Sequence, residues 1–163
     1  MNRKNQSRRT LGRTTRGLRF ALVVSRFHEP ITTKLLAGAR KCLGEHGVRE
    51  LDIAVEYCPG AFELPQVANL LARSKRYDAI VCLGAVIRGE TPHFDFVAAG
   101  AAFGIQKVAL DTSVPVSFGV LTTNNERQAK ERVGGKHGHK GWDAALAAIE
   151  MAVLSKTLKR RGR

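Results

Sequence analysis

Beyond Phe20 the chain alternates short runs of apolar, β-branched residues with longer segments of helical period, and this alternation limits the fold more than any other feature. Strands separated by helices belong to βαβ units, in which the strands lie parallel and the crossover helices cover the sheet. Strands are expected over residues 20–25, 51–57, 79–84 and 114–120, and helices over 31–46, 62–74, 94–110, 125–133 and 139–158. Right-handed crossovers put helices on both faces of a four-stranded parallel sheet, giving a three-layer α/β/α arrangement. A single domain accounts for 163 residues that are 44% hydrophobic, and a chain of this size buries roughly two-thirds of its unfolded surface.

A net charge of +13 invites a nucleic-acid reading until its location is considered. Arg3, Lys4, Arg8, Arg9, Arg13, Arg16 and Arg19 lie in residues 1–19 with no acid among them, and Lys156, Lys159, Arg160, Arg161 and Arg163 close the chain in the same way. Removing those twelve from the 27 basic residues leaves 15 against 14 acidic ones, so the centre is almost neutral. Residues 1–19 are therefore expected as a basic, flexible extension, 20–158 as the domain and 159–163 as a basic tail. Polyanion binding through the tails is one reading of these runs. No aromatic-interleaved platform or recognition-helix pattern supports nucleic acid as the main ligand.

Apolar stretches fall far short of the ~20 residues that cross a membrane, and the basic, polar start lacks the layout of a secretory signal. The cytoplasm is the expected location. Cys42, Cys58 and Cys82 are odd in number and without Cys-x-x-Cys spacing, which argues for reduced core residues rather than a disulfide framework or a zinc site. His137 and His139, two apart, do not form a zinc signature either.

Ligands of an open α/β sheet bind outside the carboxyl ends of the strands, which directs attention to the loops after each strand. After the first, Phe27 can stack on a planar heterocycle or simply close the core, and His28 is expected at the surface. After the second, residues 59–65 (Pro-Gly-Ala-Phe-Glu-Leu-Pro) leave Glu63 either to accept hydrogen bonds from substrate hydroxyls or to complement a helix dipole. After the third, Thr91 suits a helix cap and Pro92 a first helical position, so free N–H groups beside Glu90 and Thr91 offer a phosphate site. His93 in that first turn is a proton shuttle near pH 7 or a plain capping histidine. Near the end, Arg127, Arg132, Lys136, His137, His139 and Lys140 crowd around Gly134, Gly135, Gly138 and Gly141. They form either an anion-binding turn or an exposed charged connection.

Four segments taken together resemble the lumazine synthase family: Gly60 to Pro65 (GAFELP), Gly84 to Asp95 (GAVIRGETPHFD), Pro115 to Thr123 (PVSFGVLTT) and Gly135 to Gly141 (GKHGHKG), in the family's order and spacing. The resemblance covers residues 20–158 and implies a flavodoxin-like topology. It further implies condensation of 5-amino-6-(D-ribitylamino)uracil with 3,4-dihydroxy-2-butanone 4-phosphate to 6,7-dimethyl-8-ribityllumazine, without metal or organic cofactor. By that resemblance Phe27 stacks on the uracil, Ala61, Phe62 and Glu63 hold the ribityl chain, and Ala85, Val86 and Ile87 line the ring pocket. Glu90 and Thr91 bind phosphate together with Arg132 of a neighbouring subunit, Phe118 covers the ring from that neighbour, Lys140 lies near the pyrimidine and His93 transfers protons. The family's pentamers, which can close into a 60-subunit icosahedral shell, make a homo-oligomer with riboflavin synthase as cargo the implied assembly. His28, Cys58 and His139 depart from the residues common there. The alternative is a non-catalytic flavin- or lumazine-binding paralogue.

Overall fold

A computed structural model describes residues 15–161. Phe20–Ser25 (β1) has no polar face and is buried along its whole length, as a strand covered by helices on both sides must be. Ile53–Cys58 (β2) pairs with it in parallel from Phe20↔Ile53 to Ser25↔Cys58, and Ala79–Ile87 (β3) pairs on its other side from Phe20↔Ala79. Val116–Thr123 (β4) lies parallel to β3 from Ile80↔Val116 to Ile87↔Thr123. The order β2-β1-β3-β4 makes β1 and β3 the centre and leaves β4 as an edge.

Glu29–Glu45 (α1) and Lys140–Arg161 (α5) pack on one face, where Leu35, Ala39, Leu43, Ala145 and Ile149 meet Phe20, Leu22, Val24 and Val81. Leu64–Arg73 (α2) and His93–Thr112 (α3) cover the other, where Leu64, Ala68 and Ile105 meet Ala21, Val23, Ile80 and Cys82. Alternate residues of β1 and β3 thus feed two separate cores. The three-layer α/β/α expectation holds, and the direction of winding reverses between β1 and β3, where a doubly wound sheet opens its crevice.

Several boundaries move for local reasons. Glu50–Asp52 forms a 3₁₀ turn in which the Asp52 carboxylate accepts the Arg49 guanidinium, so β2 starts at Ile53 rather than 51. β3 continues past Gly84 to Ile87, because Gly84 sits against Leu64, Ser25 and Ala61 and is a close approach inside the strand, not its end. Pro115 has no N–H to donate, so β4 begins at Val116 while Pro115 accepts the Ile80 N–H. A 3₁₀ turn, Ala61–Glu63, precedes α2. Glu126–Lys130 (α4) is shorter than expected and is capped by the Asn125 side chain, which accepts the Gln128 N–H at 2.9 Å. Val133–Gly135 (β5) and Gly138–His139 (β6) form a small antiparallel hairpin where a helix end and connection were expected.

Thr15 and Leu18 are buried, and the Thr15 hydroxyl donates to the His46 carbonyl at 2.6 Å. Packing therefore extends into the segment assigned to the basic extension, and α5 runs on through Arg161. Arg3, Lys4, Arg8, Arg9, Arg13 and Arg163 of the two basic runs lie outside the described residues. No described helix is long and apolar enough to cross a membrane.

Candidate active site

At the carboxyl ends of β1 and β3 the sheet opens into a cleft of about 600 Å³. The loop after β1 prolongs the sheet, with the Arg26 and Phe27 N–H groups donating to the Cys58 and Pro59 carbonyls at 2.9 and 3.0 Å. That hold presents Phe27 outward, 67% exposed, in an edge-on ring contact with His28 at 4.6 Å. An aromatic that closed the core would be buried, so the exposed Phe27 does not play that part. His28 takes up the left-handed conformation, φ 60, at the cap of α1.

From the 3₁₀ turn after β2, Ala61 is buried at the base, Phe62 stands 59% exposed, and the half-buried Glu63 carboxylate accepts the Gly60 N–H at 2.9 Å. Glu63 is thus oriented by its own turn and still faces the cleft. Ala85 and Val86 form a buried wall with Ile87 at its lip. The following loop is pinned where the Arg88 N–H donates to the Thr123 carbonyl at 2.8 Å. The Arg88 side chain reaches Asp95 at 2.9 Å and lies over the Phe94 ring at 4.2 Å, tying the loop to the first turn of α3.

Phe27, Ala61, Phe62, Glu63, Ala85, Val86, Ile87, Thr91 and His93, all singled out from sequence, line this one cleft. Glu90 is exposed between two lining residues, Gly89 and Thr91, without lining the cleft itself. The expected cap is displaced by one residue: α3 starts at His93 with Pro92 in the cap position and no side chain capping it. The first-turn N–H groups therefore keep donor capacity for an anion.

Phe118, Arg132 and Lys140 are elsewhere, lining a separate depression of about 380 Å³ along β4. Arg132 Nη1 donates to the Gln128 carbonyl at 2.9 Å, and Lys140 pairs with Asp143 at 2.8 Å. Within one chain the residues expected to share a site thus divide into two groups.

Sequence reasoning gave no site role to His28, Gly60, Gly89, Phe94, Phe96 and Val97, which also line the cleft. Phe96 and Val97 line it from α3, and their signal was present, since positions three and four beyond His93 share its helix face. His28, expected at the surface, is half-buried in the cleft wall, and burial lowers its pKa while Glu126 opposes the shift.

The thiols behave as core groups. Burial, with Glu63 adding to it and Arg26 opposing, pushes Cys58 up to about 11, and burial raises Cys82 further. Among the described residues no three His, Cys, Asp or Glu side chains gather as a metal site would require.

Two comparisons bear on this geometry. A sequence profile described as 6,7-dimethyl-8-ribityllumazine synthase matches residues 17–156. A protein of Clostridium kluyveri (strain ATCC 8527 / DSM 555 / NBRC 12016 / NCIMB 10680 / K1) named 6,7-dimethyl-8-ribityllumazine synthase is 52% identical over 143 residues, covering 88% of this chain and 93% of that relative.

Proposed function

The chain belongs to the 6,7-dimethyl-8-ribityllumazine synthase family and carries out that transferase reaction in riboflavin biosynthesis, and we propose that it does so with the cleft of one copy completed by the β4 depression of another. The substrates are small molecules, a ribitylamino-uracil and a four-carbon ketone phosphate. Phe27 stacks on the uracil against Ala85, Val86 and Ile87, while Ala61, Phe62 and the oriented Glu63 carboxylate take the ribityl hydroxyls. Glu90, Thr91 and the open first turn of α3 receive the phosphate from one side, and Arg132 of the neighbouring copy receives it from the other. Phe118 of the same neighbour covers the ring, with Lys140 beside the pyrimidine.

The uracil's 5-amino group attacks the ketone and water leaves as the imine forms. Phosphate is then eliminated, and the ribityl-bearing nitrogen closes the second ring with loss of a further water. His93 moves protons in these steps from the mouth of the sheet. Holding two reactants together supplies much of the rate, since effective molarities in oriented systems reach ~10⁵ M or more.

The observation that carries this reading is the division of one set of family-matching residues between an aromatic-lined cleft and a depression that holds Arg132. Lumazine formation followed by absorbance with both substrates, with Arg132→Ala alongside, tests it. Turnover that collapses in the variant through loss of phosphate affinity supports the assignment. Tight ribityl-ligand binding without turnover in the parent protein would favour the receptor alternative.

A homo-oligomer follows from the same division, and a pentamer able to close into a 60-subunit shell is the proposed form. The free edge of β4 invites another chain. Phe96, Phe103 and Leu110 recur at seven-residue intervals along α3, all exposed, and Leu110, Phe118, Met151, Leu154 and Leu158 line an apolar groove next to β4. Native mass spectrometry separates pentamer, decamer and shell.

Within such a shell, in the cytoplasm, riboflavin synthase is the proposed cargo. Nucleic acid is a further proposed partner through the basic tails, whose described residues Arg19, Lys156 and Lys159 lie beside Arg73, Lys75 and Arg76 at the end of the sheet opposite the cleft, where Asp78 and Asp111 are the acids. Lys156 is engaged with Asp78 at 3.3 Å, which leaves a cationic excess. Salt-dependent co-purification of RNA supports this partner, and its absence at low salt would end it.

A further inference from the structure

Arg132 and Lys140 flank the β5–β6 hairpin, which is too short to hold its own shape. Its pairing spans only Val133–Gly135 and Gly138–His139, with Gly134 and Gly138 at φ 109 and 77, and an isolated two-stranded hairpin is marginal in water. Its geometry must come from what it packs on.

That contact is His139. The three heavy atoms nearest to where a Cβ on Gly38 of α1 would stand are Cε1, Nδ1 and Nε2 of the His139 ring, so the ring fills the notch that the glycine leaves. Its Nδ1 accepts the Trp142 N–H at 3.4 Å, in the manner of a helix cap, from the position just before α5. His139 is paired with Val133, next to Arg132, and the Lys140 N–H donates to the Arg132 carbonyl at 2.8 Å. Within the first turn of α5, Gly141 lies so close to the Leu35 carbonyl that a side chain there would fall on the α1 backbone. The hairpin is therefore clamped between α1 and α5, with the imidazole as the wedge.

We propose that His139 is a positioning residue for the anion site: seated on Gly38 and capping α5, it holds the hairpin in the one shape that presents Arg132 to the phosphorylated substrate. This rests on the assignment of Arg132 to phosphate. The contribution is preorganisation, because a cation held ready loses less freedom when the ligand arrives.

Steady-state kinetics with 3,4-dihydroxy-2-butanone 4-phosphate varied at saturating pyrimidine test the proposal. His139→Ala is expected to raise KM for the phosphorylated substrate roughly tenfold, the factor that a lost cap can bring, while kcat and KM for the pyrimidine stay near the parent values. His139→Asn, whose amide oxygen can also cap, restores most of that KM. Gly38→Ala evicts the ring and raises the same KM, yet adds nothing in the His139→Ala background, where no ring remains to evict.

An unchanged KM in His139→Ala, additive damage in the double variant, or equal weakening of both substrates would overturn the proposal. Should His139→Ala fail to fold, Gly38→Ala against Gly38→Ala/His139→Asn carries the same comparison. Arg132→Ala keeps the two readings apart. If it raises KM while His139→Ala does not, only the positioning role falls; if it leaves KM unchanged, the phosphate assignment falls and takes this proposal with it.

Discussion

The cleft between β1 and β3 is walled by Phe27, Phe62, Val86 and Val97 and carries Glu63, His28 and His93, whereas the depression along β4 sets Phe118 beside Arg132 and the Lys140–Asp143 ion pair. In the proposed reaction the first takes the heterocycle with its hydroxylated chain, and the second, through Arg132, takes the phosphate. They also differ in how they are held. The cleft is built on central strands buried on both faces, while the depression borders an edge strand and a glycine-rich hairpin. Under the proposed reaction both kinds of surface surround the same reacting atoms, and the proposed second copy is what brings them together.

Variants that damage one surface and spare the other sharpen this contrast. His93→Ala is expected to have the largest effect, lowering kcat roughly 10²-fold, the lower range for loss of a general acid–base group. It should leave both KM values near the parent's, and complete inactivity in a folded oligomer would contradict the view that positioning supplies much of the rate. Arg132→Ala should raise KM for the phosphorylated substrate about tenfold to a hundredfold, as expected for a lost charge-assisted hydrogen bond, without changing uracil affinity. Phe27→Ala should do the reverse, weakening the pyrimidine roughly tenfold for the loss of one stacked ring. If either variant weakened both substrates equally, the assignment of Phe27 to the pyrimidine and Arg132 to the phosphate would fail.

The smallest effect concerns the strand under the cleft. Cys58 has a folded-state pKa near 11 against an ordinary 9.0, so its contribution to stability is complete below the lower value. It is lost as pH rises through that interval, because the unfolded chain gives up the proton first. Chemical denaturation at pH 8 and pH 10.5 should show a loss that Cys58→Ala lessens. Native-state alkylation of Cys58 should also stay slow until the pH approaches 11.

The central strands were legible because β1 is a continuous buried run whose pattern admits little else. The cleft was legible because loops after parallel strands converge by topology. What escaped depended on tertiary contact. Gly84 looked like a strand end and is a close approach in mid-strand; the β5–β6 hairpin has no alternation to read, being shaped by the His139 ring on Gly38. His28 looked like a surface residue because nothing local announces that a left-handed residue before Glu29 and Pro30 turns its ring into the cleft wall. Basic residues suggested a boundary near Phe20, but charge does not report the burial of Thr15 and Leu18.

Subunit complementation tests the shared site most directly. Phe27→Ala/His93→Ala impairs only the cleft and Arg132→Ala only the β4 depression, so with the phosphorylated substrate held near the parent KM each assembly alone should retain little activity. Dissociated, mixed in equal amounts and reassembled, they should recover activity at about a quarter of the sites, the share in which an intact cleft meets an intact neighbour in a head-to-tail ring. A mixture no more active than the sum of its parents, in assemblies shown by mass to contain both chains, would mean that each chain completes its own site.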